Sequence, residues 1–232
     1  MTLAKPTIVL FDMDGTTVRH IHPALLEILE WLDDAAHKGA KFFSRILKRE
    51  ISAPPIVEFH DGERPKLLVH RAIHKIRRKE VGQIVEPCPG IYNILDLLKS
   101  RGIPMGLVSN GLGKGYGHDI LTKFDLAKYF DVTIFREDII RAKPFPDSIL
   151  QAMKGLPRAP EAADTIWYIG DRHKDITAAL AARDHVPCRI EPLAYGLKAS
   201  IAVLERNLGV DHIVMAYPDL ENKLRNLFGL KQ

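Results

Sequence analysis

The chain has 232 residues, of which 46% are hydrophobic and 27% are charged, a composition that excludes disordered, fibrous and disulfide-framed proteins. Its formal net charge of +4 is small for this length, so charge favours an anionic ligand only weakly and gives no argument for a nucleic-acid partner. The two cysteines, Cys88 and Cys188, show no zinc-binding spacing and fit a reducing cytoplasm.

The first predicted element is a buried strand. Residues 7–12, TIVLFD, form a continuous apolar run with β-branched members, which is typical of a strand covered on both faces in a parallel sheet. The run is much too short to span a bilayer, and no small-residue cleavage site follows it. We therefore expect a cytoplasmic location, without export and without a membrane partner.

A segment rich in Arg, Lys and His, residues 19–87, follows this strand. Apolar residues recur at helical spacing in two stretches, and SAPP and HDGERP separate them as turns, so the segment is predicted to be a helical insertion. Six of the ten histidines lie in it, but they form no zinc-binding motif. We favour a role for them in meeting an anionic substrate over a transition-metal site.

Predicted strands and helices alternate through the rest of the chain, which indicates an α/β fold with a doubly wound parallel sheet. The further strands are predicted at residues 103–110, 131–135, 165–171, 187–191 and 212–217. The helices are predicted at residues 90–102, 118–130, 146–155, 175–184 and 219–228. The glycine-rich stretch at 111–117 fits neither nucleotide-binding motif, and we expect a flexible turn there in which Gly111 lets the backbone approach a phosphate.

Polar residues follow the ends of these predicted strands. They are, in chain order, Asp12, Asp14, Ser109, Asn110, Lys143 and Asp171. Because ligands of open parallel sheets bind beyond the carboxyl ends of the strands, we expect these side chains to converge at one edge. Three crowded carboxylates need a cation, and Mg²⁺ prefers carboxylates, waters and phosphate oxygens. With the added charge of Lys143, the cluster predicts a metal site that processes an anion.

Four motifs resemble those of the haloacid dehalogenase superfamily, and they occur in the same order. The motifs are FDMDGTT, LVSNG, RAKPFPD and IGDRHKD. The helical insertion also sits where that superfamily places a cap domain. The resemblance covers nearly the whole chain and implies a Rossmann-like catalytic core at residues 1–18 and 88–232, with a helical cap at residues 19–87.

The resemblance implies a role for each aspartate of the first motif. Asp12 would be the nucleophile that accepts the phosphoryl group as an aspartyl phosphate, and also a ligand of Mg²⁺. Asp14 would protonate the leaving group and then take a proton from the attacking water, while its backbone carbonyl binds Mg²⁺. Dehalogenases lack this second acid, so Asp14 also implies that the substrate is a phosphate ester.

The second and third motifs would bind the phosphoryl group. Ser109 and the backbone of Asn110 would hold its oxygens, and Lys143 would neutralise charge on this group and on the nucleophile. In the fourth motif Asp171 would bind Mg²⁺, and Asp175 would orient either metal-bound water or Lys143.

One position departs from the family pattern. Many relatives have a small residue after the aspartate of the fourth motif, where this chain has Arg172. Arg172 and the two residues after it, His173 and Lys174, either contact the substrate or face solvent. Contact would change the substrate preference, and in neither case do we expect a change in the phosphate chemistry.

These features predict a Mg²⁺-dependent phosphatase similar to the phosphoglycolate-phosphatase group, acting on a small phosphorylated metabolite. A phosphomutase of the β-phosphoglucomutase type shares the same catalytic residues and is the alternative enzyme. A non-catalytic binding module on the same fold is the alternative outside enzymes, although the complete set of site residues counts against it. No nucleic-acid motif is present. The sequence leaves the oligomeric state open between monomer and dimer.

Overall fold

The computed structural model describes residues 3–21 and 81–230. The chain divides into two units, residues 1–19 with 85–232 and residues 20–84. The predicted helical cap at 19–87 lies largely outside the described residues, so the cap and its boundaries stay predictions. Within the described ranges, no helix has both the length and the apolar character that a membrane span requires.

The first unit is built on a parallel sheet of six strands in the order β5-β4-β1-β6-β7-β8, and β2 and β3 form a separate pair. The strands are β1 (Ile8–Asp12), β2 (Val18–His20), β3 (Val85–Pro87), β4 (Met105–Val108), β5 (Val132–Ile134), β6 (Thr165–Gly170), β7 (Arg189–Tyr195) and β8 (Ile213–Val214). The order reverses direction at β1, as in a doubly wound fold, and the predicted fold class is confirmed.

Six α-helices are described, and those that connect strands of the sheet are the crossovers that parallel pairing requires. They are α1 (Ile91–Ser100), α2 (Lys114–Lys123), α3 (Asp147–Lys154), α4 (His173–Ala182), α5 (Gly196–Glu205) and α6 (Tyr217–Leu227). All five residues of β1 are buried, and Phe11 lies level with Leu107 of β4 and Ile169 of β6. The continuous apolar run of β1 is therefore explained by its central place in the sheet.

The small residues of α4 belong to the core of the sheet. Ala178, Ala179 and Ala182 are fully buried in one cluster with Tyr168 of β6 and Ile190 of β7. Because alanine has little side-chain volume, the helix packs close to these strands, and the carboxyl end of β6 lies beside the first turn of α4.

The glycine-rich stretch 111–117 is only partly the turn that its composition predicted, because residues 111–113 precede a helix and residues 114–117 belong to it. Helix α2 begins at Lys114, four residues before the predicted start, and its last turn ends at Lys123 rather than at residue 130. Gly117 lies within α2, where an added Cβ would come 2.0 Å from Cε1 of Phe135. The glycine is therefore explained by close packing against an aromatic ring.

The sequence patterns predict neither the short strands β2 and β3 nor the helix α5, and they end β7 too early. Strand β7 continues to Tyr195 instead of ending at residue 191, and α5 follows it directly. The pair β2 and β3 is joined at one end by the backbone of Cys88, whose N–H donates to Thr17 O at 3.0 Å. Strands of three residues carry too little alternation to be recognised from sequence.

A buried carboxylate ties the start of β1 to the start of β6. Asp164 accepts hydrogen bonds from Thr7 Oγ1 at 2.7 Å, from both terminal nitrogens of Arg158 at 2.6 and 2.7 Å, and from the backbone of Glu161 at 2.8 Å. The bond from Arg158 and the other donors hold the pKa of Asp164 well below its usual range.

We expect Asp164→Asn to lower the free energy of unfolding by about 1–2 kcal/mol at pH 7. Because the folded pKa is depressed, the stabilisation by the carboxylate is present above its unfolded pKa and is lost as the pH falls through the folded pKa. Urea unfolding at pH 7 and pH 3 should show the difference between variant and wild type shrinking at low pH. Asp125→Asn is the control, because the Asp125 side chain is 75% exposed in its ion pair with Lys128. This substitution should change the free energy of unfolding little.

Candidate active site

The carboxyl end of β1 places Asp12 at the centre of the candidate site. Its side chain is 7% exposed, and its backbone carbonyl accepts a hydrogen bond from Thr17 Oγ1 at 2.8 Å. The N–H of Met13 donates to Val108 O of β4 at 3.0 Å, so sheet pairing continues just past the aspartate. The nucleophile candidate is therefore held on rigid backbone.

The ammonium of Lys143 joins two aspartates. Lys143 Nζ donates to Asp12 Oδ1, to Asp175 Oδ1 at 2.7 Å and to the hydroxyl of Tyr168 at 2.9 Å, and its side chain is only 1% exposed. A buried ammonium is costly unless it is paired and hydrogen-bonded, and here all three donors of Lys143 have partners. The geometry fixes the ammonium against the Asp12 carboxylate.

Asp14 has different partners from Asp12, although only Met13 separates them. The hydroxyl of Ser109, at the end of β4, donates to Asp14 Oδ2 at 3.1 Å and accepts from the backbone N–H of Leu112 at 3.1 Å. One carboxylate of the first motif therefore contacts a cation and the other a neutral hydroxyl. This difference is what distinct nucleophilic and proton-transfer roles require.

Three carboxylates lie close enough to share a cation. One oxygen from each of Asp12, Asp171 and Asp175 lies within 4.8 Å of the others. Within the described ranges, Asp171 Oδ1 is buried and has no hydrogen-bond partner. The Asp14 side chain is not one of this trio, and its predicted contribution to the metal is its backbone carbonyl.

The titration of these groups reflects their crowding. Burial, followed by the charge of Asp175, raises the pKa of Asp171 to about 6. Burial also raises the pKa of Asp12 well above its usual range, against the opposing effect of Lys143. Burial alone would lower the pKa of Lys143, but the charges of Asp12 and Asp175 raise it. One ammonium is thus too little positive charge for the carboxylates around it.

The donor set fits Mg²⁺. The ion prefers oxygen ligands and keeps several waters, so a few carboxylates without nitrogen or sulfur donors suit it. A divalent cation beside Asp12 and Asp171 would favour their ionised forms and lower both pKa values. The buried, unpartnered oxygen of Asp171 is the observation that this fit explains.

The loop after β4 carries further polar groups. In the part of the chain that the structure describes, neither side-chain amide atom of Asn110 has a partner, and the buried hydroxyl of Tyr116 has none. An added Cβ on Gly111 would meet only Asp14 Oδ2, at 3.9 Å. An open position at Gly111 and an unpaired side-chain amide at Asn110 therefore follow Ser109 directly in the chain, in the motif from which the resemblance predicts phosphate contacts.

The three basic residues after Asp171 have different surroundings; they are Arg172, His173 and Lys174. Arg172 Nε lies 4.0 Å from Asp171 Oδ2, whereas His173 Nε2 lies 3.4 Å from Glu205 Oε2 of α5. Burial and the charge of Arg172 lower the pKa of Lys174. Arg172 is therefore beside the acidic cluster, and His173 is turned toward α5.

Two residues of the site are not recognisable from the sequence pattern. Tyr168 contacts both Lys143 and Asp175, the latter at 3.4 Å, but in the sequence it is one more apolar residue of a strand. Gly15 has φ +86°, and its Cβ position lies 2.3 Å from Asp171 Oδ2. The glycine after FDMD signals a turn, but its contact with Asp171 depends on the sheet order.

We expect Gly15→Ala to reduce both stability and metal affinity. The positive φ alone costs about 1–2 kcal/mol for alanine, and the new Cβ must displace the Asp171 carboxylate. Gly102→Ala is the matched control, since Gly102 has φ +64° and no atom within 4 Å of its Cβ position. A thermal shift titrated with Mg²⁺ should need about tenfold more metal for Gly15→Ala, which is a loss of about 1.4 kcal/mol. Equal titrations for the two variants would contradict the assignment of Asp171.

Comparisons with known proteins agree with this architecture. A family model described as haloacid dehalogenase-like hydrolase matches residues 9–186. The chain is 29% identical over 161 residues to a phosphoglycolate phosphatase of Escherichia coli O157:H7, which covers 68% of this chain and 59% of that protein. The chain therefore spans about three fifths of the length of this curated relative.

Solved structures share the fold. A haloacid dehalogenase-superfamily hydrolase from Ehrlichia chaffeensis matches with a TM-score of 0.59 at 20% identity, over 98% of this chain and 100% of that one. A putative β-phosphoglucomutase from Thermotoga maritima matches with a TM-score of 0.59 at 21% identity, over 97% and 99% of the two chains. At these identities the likeness concerns the fold alone.

Proposed function

The chain belongs to the haloacid dehalogenase-like hydrolase family, and from this we propose that it is a Mg²⁺-dependent phosphatase acting on a small phosphorylated metabolite. The proposal rests chiefly on one observation: Asp12 is paired with a buried ammonium, while Asp14 is hydrogen-bonded to Ser109. Two neighbouring carboxylates with unlike partners suit a nucleophile and a general acid–base.

In the proposed first step, Asp12 attacks the phosphorus of the bound ester. A bond forms between a carboxylate oxygen of Asp12 and phosphorus, and the bond from phosphorus to the leaving oxygen breaks. Asp14 gives its proton to that oxygen, so the product leaves as an alcohol. Lys143 holds the attacking carboxylate in place through its contact with Asp12 Oδ1.

The second step hydrolyses the aspartyl phosphate. Asp14, now ionised, takes a proton from a water molecule, and the water oxygen bonds to phosphorus. The bond between phosphorus and Asp12 breaks, which releases inorganic phosphate and restores both aspartates. Ser109, the backbone of Asn110 and the ammonium of Lys143 would stabilise charge on the phosphoryl oxygens in both steps.

Asp12, the backbone carbonyl of Asp14, and Asp171 would hold Mg²⁺, as the resemblance implies, and Asp175 adds a third carboxyl group nearby. When bound, the ion supplies positive charge that neutralises the phosphate and keeps the carboxylates ionised. Asp175 accepts from Lys143 at 2.7 Å, which supports a role in orienting that ammonium.

The relative named a phosphoglycolate phosphatase supports a small phosphorylated metabolite as substrate. The free cysteines Cys88 and Cys188 support the proposed cytoplasmic location, since both are buried and unpaired with each other. A phosphomutase would use the same residues but would have to protect the aspartyl phosphate from water.

The test is phosphate release from a panel of phosphorylated metabolites and p-nitrophenyl phosphate, with Mg²⁺ and with EDTA. We expect release that needs the metal and that ranks the substrates. Slow release together with a long-lived phosphoenzyme would favour the mutase. No release from any ester by the folded, Mg²⁺-loaded protein would overturn the phosphatase and favour a binding module.

A further inference from the structure

Helix α5 carries an apolar stripe on its solvent side. Leu197, Ile201 and Leu204 are 70%, 52% and 59% exposed, and their spacing of four and three residues places them on one face of the helix. The opposite face is also apolar, with Ala199, Ala202 and Val203 fully buried in a core cluster. The core therefore accounts for only one of the two apolar faces of α5.

This stripe is unusual among the described residues. Eight large hydrophobic side chains are exposed in the described ranges, and three of them lie along this single helix. Burying exposed aliphatic side chains is favourable, and a contiguous apolar patch marks an interaction surface more often than scattered residues do. A partner with a matching apolar surface would bury the stripe.

The charges beside the stripe match a second copy of the same helix. Lys198 and Glu205 are exposed and seven residues apart, so they lie on the same flank of the stripe. In an antiparallel pair related by a two-fold axis at Ile201, Lys198 lies three residues before the axis and Glu205 four residues after it. The lysine of one copy thus faces the glutamate of the other, and symmetry makes this contact twice.

The same arrangement aligns the apolar residues. Ile201 meets its own copy at the axis, and Leu197 of one copy lies beside Leu204 of the other. Same-flank charge pairs around an apolar seam are what fix orientation in antiparallel helix pairs. No like charges face each other in this arrangement, because the residue opposite Arg206 is Gly196.

We propose that α5 is a homodimer interface in which two copies pair antiparallel through Leu197, Ile201 and Leu204, with Lys198 facing Glu205 of the second copy. Helix α5 has ten residues, so it is about 15 Å long. A standard interface uses about 20–30 residues a side, far more than this stripe provides. We therefore expect the dimer to be weak.

Sedimentation velocity over a hundredfold range of concentration tests the proposal on the full chain. We expect a monomer–dimer equilibrium that Ile201→Asp weakens at least about tenfold, a loss of at least 1.4 kcal/mol. Ile140→Asp is the matched control, since Ile140 is 80% exposed and lies outside α5. A wild type that stays monomeric throughout, or a dimer that Ile201→Asp leaves intact, would overturn the proposal and point to another occupant or another surface.

A charge exchange tests the geometry. Lys198→Glu and Glu205→Lys should each weaken the dimer, because each places like charges opposite one another, and the double variant should restore it. Glu205 also contacts His173 and Arg206 within its own chain, but loss of those contacts would not be rescued by a second change at Lys198. A double variant as weak as the worse single one would overturn the antiparallel pairing.

Discussion

Replacing the nucleophile candidate, Asp12→Asn, should lower phosphate release by at least about a thousandfold, the scale seen when a catalytic nucleophile is removed. Asparagine has nearly the same shape, and its amide oxygen can still accept from Lys143, but it cannot form an aspartyl phosphate. Steady-state phosphate release and trapping of the phosphoenzyme measure the loss. Residual turnover within tenfold of wild type would rule out Asp12 as nucleophile.

The same variant should not unfold the protein. Two buried carboxylates, Asp12 and Asp175, face one ammonium, so neutralising one of them leaves a matched pair with Lys143. Burial raises the pKa of Asp12, which means that its ionised form destabilises the folded state as the pH rises above the unfolded pKa. The midpoint of urea unfolding without metal should therefore be equal or higher in Asp12→Asn at pH 8. A lower midpoint would mean that the activity loss reflects damage to the fold.

The convergence of the candidate site residues could be predicted because it follows from topology. An apolar run that ends in Asp12, and another that ends just before Asp171, have to bring those residues to one edge if both strands are parallel. The structure adds only that β1 and β6 are direct neighbours. Local pattern and a general rule of parallel sheets are enough for this part of the site.

The contacts that tune the site could not be predicted in this way. Tyr168 of β6 contacts Lys143, which lies on a loop. The periodicity of the strand does not predict which residue of β6 makes this contact. The contact between Gly15 and Asp171 depends on the distance between two neighbouring strand ends. The sequence pattern does not indicate helix α5 either, since the apolar run of β7 passes directly into it without a turn of several polar residues.

Removing the ammonium, Lys143→Met, should have the opposite effect on stability from Asp12→Asn. Methionine fills much of the same volume but leaves Asp12 and Asp175 buried together without a cation. Breaking a buried ion pair on one side costs about 3–5 kcal/mol. The cost should grow as the pH rises, because loss of the ammonium raises the pKa of Asp12 further and its ionisation then disfavours the folded state. Urea unfolding at pH 5 and pH 8 should show the larger deficit at pH 8.

Activity should fall as well, by about a hundredfold or more, because Lys143 no longer offsets charge on the phosphoryl group. Lys154→Met is the control, since Lys154 is exposed at the end of α3 and should change neither property. A Lys143→Met deficit that is the same at both pH values would mean that packing, not charge, explains the destabilisation. The contrast between the two variants is the sharpest test of the site, because one charge balance predicts opposite signs for removing a carboxylate and removing the ammonium beside it.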